Sequence, residues 1–137
     1  MDKVLFSFDG FQVCKVMMNF ENMPKNPDID IEFAVNGIFD HVENVFEVKF
    51  AFSSRLSSNR DFEIISVGSV ARFSFSSLMK FEDIPDYFYS NSVAILFPYM
   101  RAFVSTVSLQ SNIPPLILPT LNLTKLGVTL KKNSIQK

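Results

Sequence analysis

The sequence has no tryptophan, one cysteine, one histidine and four glycines among 137 residues, and its charges nearly cancel, 13 basic against 14 acidic side chains. With Cys14 alone, neither an intrachain disulfide nor a thiolate metal cluster can form within one chain. Lys15 beside it is weak ground for a lowered thiol pKa, so Cys14 reads as a small core or strand residue. His41, next to Asp40, is the one imidazole with a neighbouring carboxylate. No nucleophile elbow, second histidine or set of metal ligands accompanies it, so His41 reads as a solvated turn residue and the chain as a non-enzyme without a cofactor. So few glycines offer no phosphate-cradling loop. The absence of a long run of either charge removes the footprint of a nucleic-acid binder. Lys131, Lys132 and Lys137 are too few for a membrane or RNA contact, and the tail that carries them reads as a frayed, solvated end. No uninterrupted apolar run approaches about 18 residues, which argues against a membrane-spanning helix. Met1 to Gly10 lacks the apolar core of a secretory signal, so the expected location is the cytoplasm. Asn122-Leu123-Thr124 has glycosylation spacing, which is uninformative there.

What the chain does have is apolar mass: 47% hydrophobic residues, among them 16 phenylalanines. That rules out a disordered chain and suits one domain. It is also a heavy load for a small interior, so part of it is expected to reach an oligomer contact or a bound client.

The first half alternates with a period of two, the signature of antiparallel strands with unlike faces. One strand covers roughly residues 4–20, with a bulge expected at Asp9-Gly10. After a polar, proline-containing connector, Ile29, Ile31, Phe33 and Val35 share one face of a second strand, which Asn36-Gly37 is expected to close as a turn. A third strand sets Phe46, Val48, Phe50 and Phe52 on one side and Glu47, Lys49 and Ala51 on the other. A fourth runs from about Asp61 to Phe75. Its register is unsettled by Gly68 and by large residues on both faces.

After Ser76-Ser77 the period changes. Ile84-Pro85-Asp86 reads as a helix start, giving a short helix with Tyr87, Phe88 and Tyr89. Ser90-Asn91-Ser92 then caps a longer one. On it Val93, Leu96, Met100, Phe103, Val104 and Val107 form one stripe, which sequence alone leaves open between a domain core and an oligomer seam. Pro98 inside the pattern predicts a kink. Beyond residue 112 lies an apolar, proline-stiffened arm, Ile113 to Leu123, whose aliphatics need a core, a subunit or a client to cover them. The architecture expected is α+β: a four-stranded antiparallel sheet (1–77), a short and a long helix (82–111), then the arm and tail (112–137), in a single domain.

The stretch Ile95-Leu96-Phe97-Pro98-Tyr99-Met100-Arg101, with Ile113-Pro114-Pro115-Leu116-Ile117-Leu118-Pro119 after it, resembles the SecB export chaperones, whose helix carries a similar Leu-Phe-Pro-Tyr-x-Arg ahead of an arm with similar Pro and Leu spacing. Phe20-Glu21, Val45-Phe46-Glu47-Val48 and Val70-Ala71-Arg72-Phe73 resemble segments of its strands. The resemblance implies an ATP-independent holdase for unfolded polypeptides, built as a homotetrameric dimer of dimers, in which the helix stripe (Val93, Leu96, Met100, Phe103, Val104, Val107) pairs between protomers and Arg101 is a structural ion-pair or helix-terminal partner. The client-binding candidates are Ile29, Ile31, Phe33, Phe46 and Val48 on the sheet, with Leu116, Ile117 and Leu118 on the arm.

The departures from that family are equally definite. Glu21 stands where a contact for a SecA-like motor is implied, but Met17 and Ser66 replace carboxylates, the chain ends in lysines, and Gly127 interrupts the terminal helix that the family continues. The motor contact is therefore doubtful, and a chaperone dedicated to one client, such as the antitoxin of a toxin–antitoxin–chaperone system, ranks beside a general export factor. A non-chaperone module that binds a small apolar ligand or acts as a scaffold is the alternative of another class.

Overall fold

A computed structural model describes residues 4–113, 116, 118, 119 and 121–137. Four long strands, β1 (Phe6–Met18), β2 (Ile29–Asp40), β3 (Val45–Leu56) and β4 (Asn59–Phe75), precede a helix α1 (Asp86–Gln110), a second helix α2 (Leu123–Lys132) and a short strand β5 (Ser134–Gln136). The sheet order is β1-β4-β3-β2-β5, antiparallel throughout except where β5 lies parallel to β2.

The period of two puts Val35, Phe39, Phe46, Val48, Phe50 and Phe73 on one face, all fully buried. Against them packs one side of α1, with Phe88 seated among Phe6, Phe46, Phe73 and Phe75 at centroid distances of 4.9 to 5.6 Å. Edge-to-face rings at that separation add to burial the attraction of ring edges for ring faces. Seven of the sixteen phenylalanines are buried in this core, and the other nine are half-buried against it.

The bulge forms where it was expected. Phe8 pairs with Phe73 and Gly10 with Arg72, leaving Asp9 unmatched beside Gly10, whose φ of +155° suits glycine. The fourth strand is explained by another bulge. Ser54 pairs with Ile65 and Arg55 with Glu63, so Ile64 is the extra residue and both isoleucines turn inward. The Ser54 hydroxyl donates to the Ile65 carbonyl at 3.1 Å and accepts from its N–H at 3.0 Å, satisfying backbone groups that the bulge displaces.

Several expectations are corrected. Asn36-Gly37 does not close β2, which runs on to Asp40 before the turn at His41–Asn44. Gly37 has another purpose: a Cβ there would lie 2.5 Å from the Phe46 ring and from Ser134 Oγ. Ser90-Asn91-Ser92 caps nothing, because one helix runs unbroken from Asp86 to Gln110, through Pro98. The Ser90 and Ser92 hydroxyls turn back instead onto the carbonyls of Tyr87 and Tyr89. Gly127 does not break the last helix. It lies buried inside α2, where the backbone passes close to Ser90. The tail is no frayed end, since β5 pairs with Gly37, Ile38 and Phe39. By length and composition α1 could also cross a membrane, contrary to the expectation drawn from apolar runs; its Val93, Leu96, Met100 and Val104 are buried in the core.

Candidate functional site

Among the described residues no cluster of histidine, cysteine and carboxylates could hold a metal ion. His41 sits in the exposed β2–β3 turn, where its Nδ1 lies 3.0 Å from the Lys137 main-chain oxygen. The Asp40 carboxyl is held below its ordinary pKa, first by the Glu43 N–H and also by the Val42 N–H, with Lys137 nearby. These are turn contacts rather than a catalytic pair.

The surface feature of consequence runs along the outer edge of β2. At one end the β1–β2 connector, with Phe20, Met23 and Pro27, faces Ile29, Ile64 and Leu116 across a largely apolar groove of about 480 Å³. The groove shares Ile29 with a shallower depression of about 580 Å³ lined by Ile31, Glu32, Arg60, Leu118 and Pro119. This in turn shares Leu118 and Pro119 with a hollow of about 170 Å³ beside Phe97 and Arg101. Through these shared residues the three hollows adjoin, from the β4–connector end of the sheet past the β2 edge to the cleft between α1 and the arm, and together they make up the channel. The arm is fixed where it leaves α1: the Ser108 carbonyl accepts from Ile113 N–H at 3.4 Å, and the Ser108 hydroxyl accepts from Leu116 N–H at 3.3 Å.

The backbone along this channel matters as much as the side chains. On β2 the Val35 carbonyl accepts from Asn133 Nδ2 at 3.0 Å and the Phe39 carbonyl from Lys137 N–H at 2.8 Å, both on the side away from β3. Alternate residues of a strand direct N–H and C=O to the same side, so Ile29, Ile31 and Phe33 aim theirs at the channel. Among the described residues those groups have no backbone partner. Arg60, 2.7 Å from Asp30 and 2.9 Å from Glu32, ties the β3–β4 turn to this edge, with Ser57 Oγ donating to Asp30 at 2.8 Å. Exposed ion pairs of this kind add little stability, but here they fix where the edge begins.

The sequence-derived candidates divide on this geometry. Ile29, Ile31, Phe33 and Leu116 are half-buried and line or border the channel, and Leu118 forms part of its wall. Phe46 and Val48 have no exposed surface and lie under α1, so they leave the client-contact set for the core. Ile117 lies outside the described residues. Glu21 is exposed in the connector. Val93, Leu96, Met100 and Val104 are likewise fully covered within one protomer, and Phe103 and Val107 half so, which removes that stripe as a ready seam. The more exposed stripe is a different one, Tyr99, Ala102, Thr106 and Leu109, stepping by three and four residues, with the Tyr99 ring against Phe8 and Phe11 at 5.5 and 5.4 Å. Arg101 is mid-helix, its guanidinium 5.4 Å from the Phe97 ring centroid, a cation–π contact, and it forms no ion pair among the described residues.

Sequence reading missed the connector as one wall of the groove. Met23, Pro24 and Pro27 were legible as a polar-looking turn containing prolines, and only the fold brings them opposite Ile113 and Leu116.

A sequence model of the family described as preprotein translocase subunit SecB matches residues 6–132. An uncharacterised protein of Methanocaldococcus jannaschii is 66% identical over 32 residues, a span of 23% of this chain and 21% of that protein. Among solved structures, a SecB-like chaperone of Mycobacterium tuberculosis, in complex with a ChAD peptide from the HigA1 antitoxin, superposes with a TM-score of 0.69 at 20% identity, covering 85% of this chain and 88% of that one.

Proposed function

From the premise that the chain belongs to the SecB family, we propose that it is an ATP-independent holdase that keeps extended, non-native polypeptide along the outer edge of β2. The observation that carries this reading is the coincidence of an apolar wall at Ile29 and Ile31 with edge backbone groups at Ile29, Ile31 and Phe33 that have no backbone partner among the described residues. Burial of client side chains attracts without regard to sequence, while the strand edge meets the backbone that every unfolded chain presents. Each client side chain buried contributes about 1.5–3 kcal/mol before ordering costs, so several weak subsites hold a chain that can still leave by folding or transfer.

A second reading, a dedicated antitoxin chaperone, is favoured by the peptide complex of the mycobacterial relative. Against a SecA-like motor as partner stand Met17 and Ser66, which pair directly on neighbouring strands and put no carboxylate there. A small-ligand carrier is the weaker reading, because the channel is open along its length. Work in the cytoplasm and assembly as a dimer of dimers belong to the same proposal.

Light scattering and solution mass with a reduced, carboxymethylated polypeptide test it. The protein should suppress aggregation of a denatured substrate at near-stoichiometric ratio and take up the unfolded chain. Ile31→Asp should weaken that complex about tenfold or more, in line with losing one buried aliphatic contact and burying a charge. Indifference of the wild-type protein to unfolded chains would end the holdase reading.

A further inference from the structure

The edge of β2 that carries Ile29, Ile31 and Phe33 continues to Gly37 and Phe39, and there it already holds a guest, β5. Gly37 gives that guest its seat. Any larger residue would drive a Cβ to 2.5 Å from both the Phe46 ring and Ser134 Oγ, so the notch accepts a small residue from an added strand and is filled by Ser134. The hold beyond Ser134 is polar and lies at the surface: Lys137 N–H donates to the Phe39 carbonyl at 2.8 Å, the Lys137 main-chain oxygen lies 3.0 Å from His41 Nδ1, and its Nζ lies 3.9 Å from Asp40. Ile135 is 61% exposed, Gln136 and Lys137 face solvent, and the pairing is parallel and three residues long. Asn133 and Ser134 anchor the approach, through the Val35 and Leu130 carbonyls at 3.0 and 2.6 Å. Short, parallel and poorly buried strands open at low free energy.

We infer that β5 is a displaceable intramolecular competitor for the client edge: an extended client lying on Ile29 to Phe33 grows along β2, takes Gly37 to Phe39 from β5, and must place a small residue opposite Gly37 to do so. The inference rests on the holdase reading and adds to it a limit on client length and a route to release, since β5 returns to its seat as the client frays. Two strands cannot bond the same Gly37 and Phe39 backbone groups, and whatever β5 retains of that equilibrium reduces the client's apparent affinity.

Hydrogen exchange on the full chain, with and without saturating reduced, carboxymethylated α-lactalbumin, provides the test. In the complex the amides of Ile135 and Lys137 should exchange at least about tenfold faster, while those of Ile31 and Phe33 slow. Unchanged protection of Ile135 and Lys137 in a complex that demonstrably forms would overturn the competition and leave the holdase reading intact. Failure to form any complex overturns both, and solution mass tells the two failures apart. Ile135→Pro supplies an independent arm: alternation from the Lys137 to Phe39 bond aims the Ile135 N–H at the Gly37 carbonyl, and proline removes that donor from an exposed position. This variant should melt close to the wild type and bind the unfolded chain about five- to tenfold more tightly. Equal or weaker binding would refute the inference.

Discussion

At the scale of single residues, Gly127, where α2 meets α1, and Tyr89, near the start of α1, each make a prediction. A Cβ on Gly127 would fall 2.8 Å from the Ser90 Cα and N. Alanine is the better helix former by about 1 kcal/mol, so in a free helix Gly127→Ala would stabilise. Here the collision is with backbone, which cannot rotate away, and overpacking costs about 1–3 kcal/mol. Gly127→Ala should therefore destabilise by about 1 kcal/mol net in urea titration, and a gain in stability would mean that the helices are not in contact there. Tyr89 is nearly buried near the start of α1, and desolvation, with the Asp86 carboxylate adding to it, pushes its pKa up to about 12. A phenol whose folded pKa lies above its unfolded value of about 10 contributes stability that is fully present below pH 10 and lost as pH rises through 12. Tyr89→Phe should consequently lose less stability than the wild type between pH 10 and 12. Parallel curves from urea midpoints in that window would contradict the raised value.

At the scale of elements, the position of Pro98 inside α1 is the clearest conflict between local preference and fold. The ring removes the N–H that the Ala94 carbonyl would accept, yet the helix continues on both sides because Val93, Leu96, Met100 and Val104 are fixed in the core. Pro98 itself is exposed. Pro98→Ala should then raise stability by about 1–3 kcal/mol, measured as a higher melting temperature, while a fall would assign the ring a packing role. The same competition explains what the sequence disclosed. The four long strands and the start of α1 were legible because Phe46, Val48, Phe50 and Phe52, or Ile29, Ile31 and Phe33, keep a strict period that burial enforces. The bulge at Asp9-Gly10 was legible through its glycine. Gly37 and Gly127 misled, since their local meaning is a turn or a break and their actual role is to let Ser134 and Ser90 approach, a tertiary demand without any local signal. The cap of α2 was hidden in the Asn122-Leu123-Thr124 triplet, where Asn122 Oδ1 accepts from Lys125 N–H at 3.0 Å. Of the channel, the half on β2 could be read from periodicity. The half on the connector could not, because it depends on which loops the sheet order brings together.

At the scale of the whole molecule, the question is where the surplus apolar surface goes once seven phenylalanines are buried and nine are only half-covered. Of the sheet's two edges, β2 is covered by β5 over Gly37 to Phe39, and β1 forms the other, where Val16 and Met18 are exposed. The solvent side of α1 presents Tyr99, Ala102, Thr106 and Leu109 in one stripe, with Tyr99 48% and Leu109 61% exposed. Small residues between larger apolar ones permit close approach of a second helix, and the i, i+3, i+7 spacing keeps them on one line. Assembly through this stripe is thus the proposal that replaces the inner one, because Val93 and Leu96 cannot face a sister subunit and the sheet at once. Ala102→Glu tests it with little risk to folding, as Ala102 is exposed and glutamate is a good helix former. A carboxylate buried at a two-fold contact would meet its own copy, so the variant should lose the larger assembly in solution mass while keeping its melting temperature at concentrations where the wild type is dissociated. If Ala102→Glu retains the wild-type mass, α1 faces solvent and the assembly must be built from the β1 edge instead; if the wild type itself has the mass of one protomer, the channel along β2 acts alone and client affinity should not change with protein concentration.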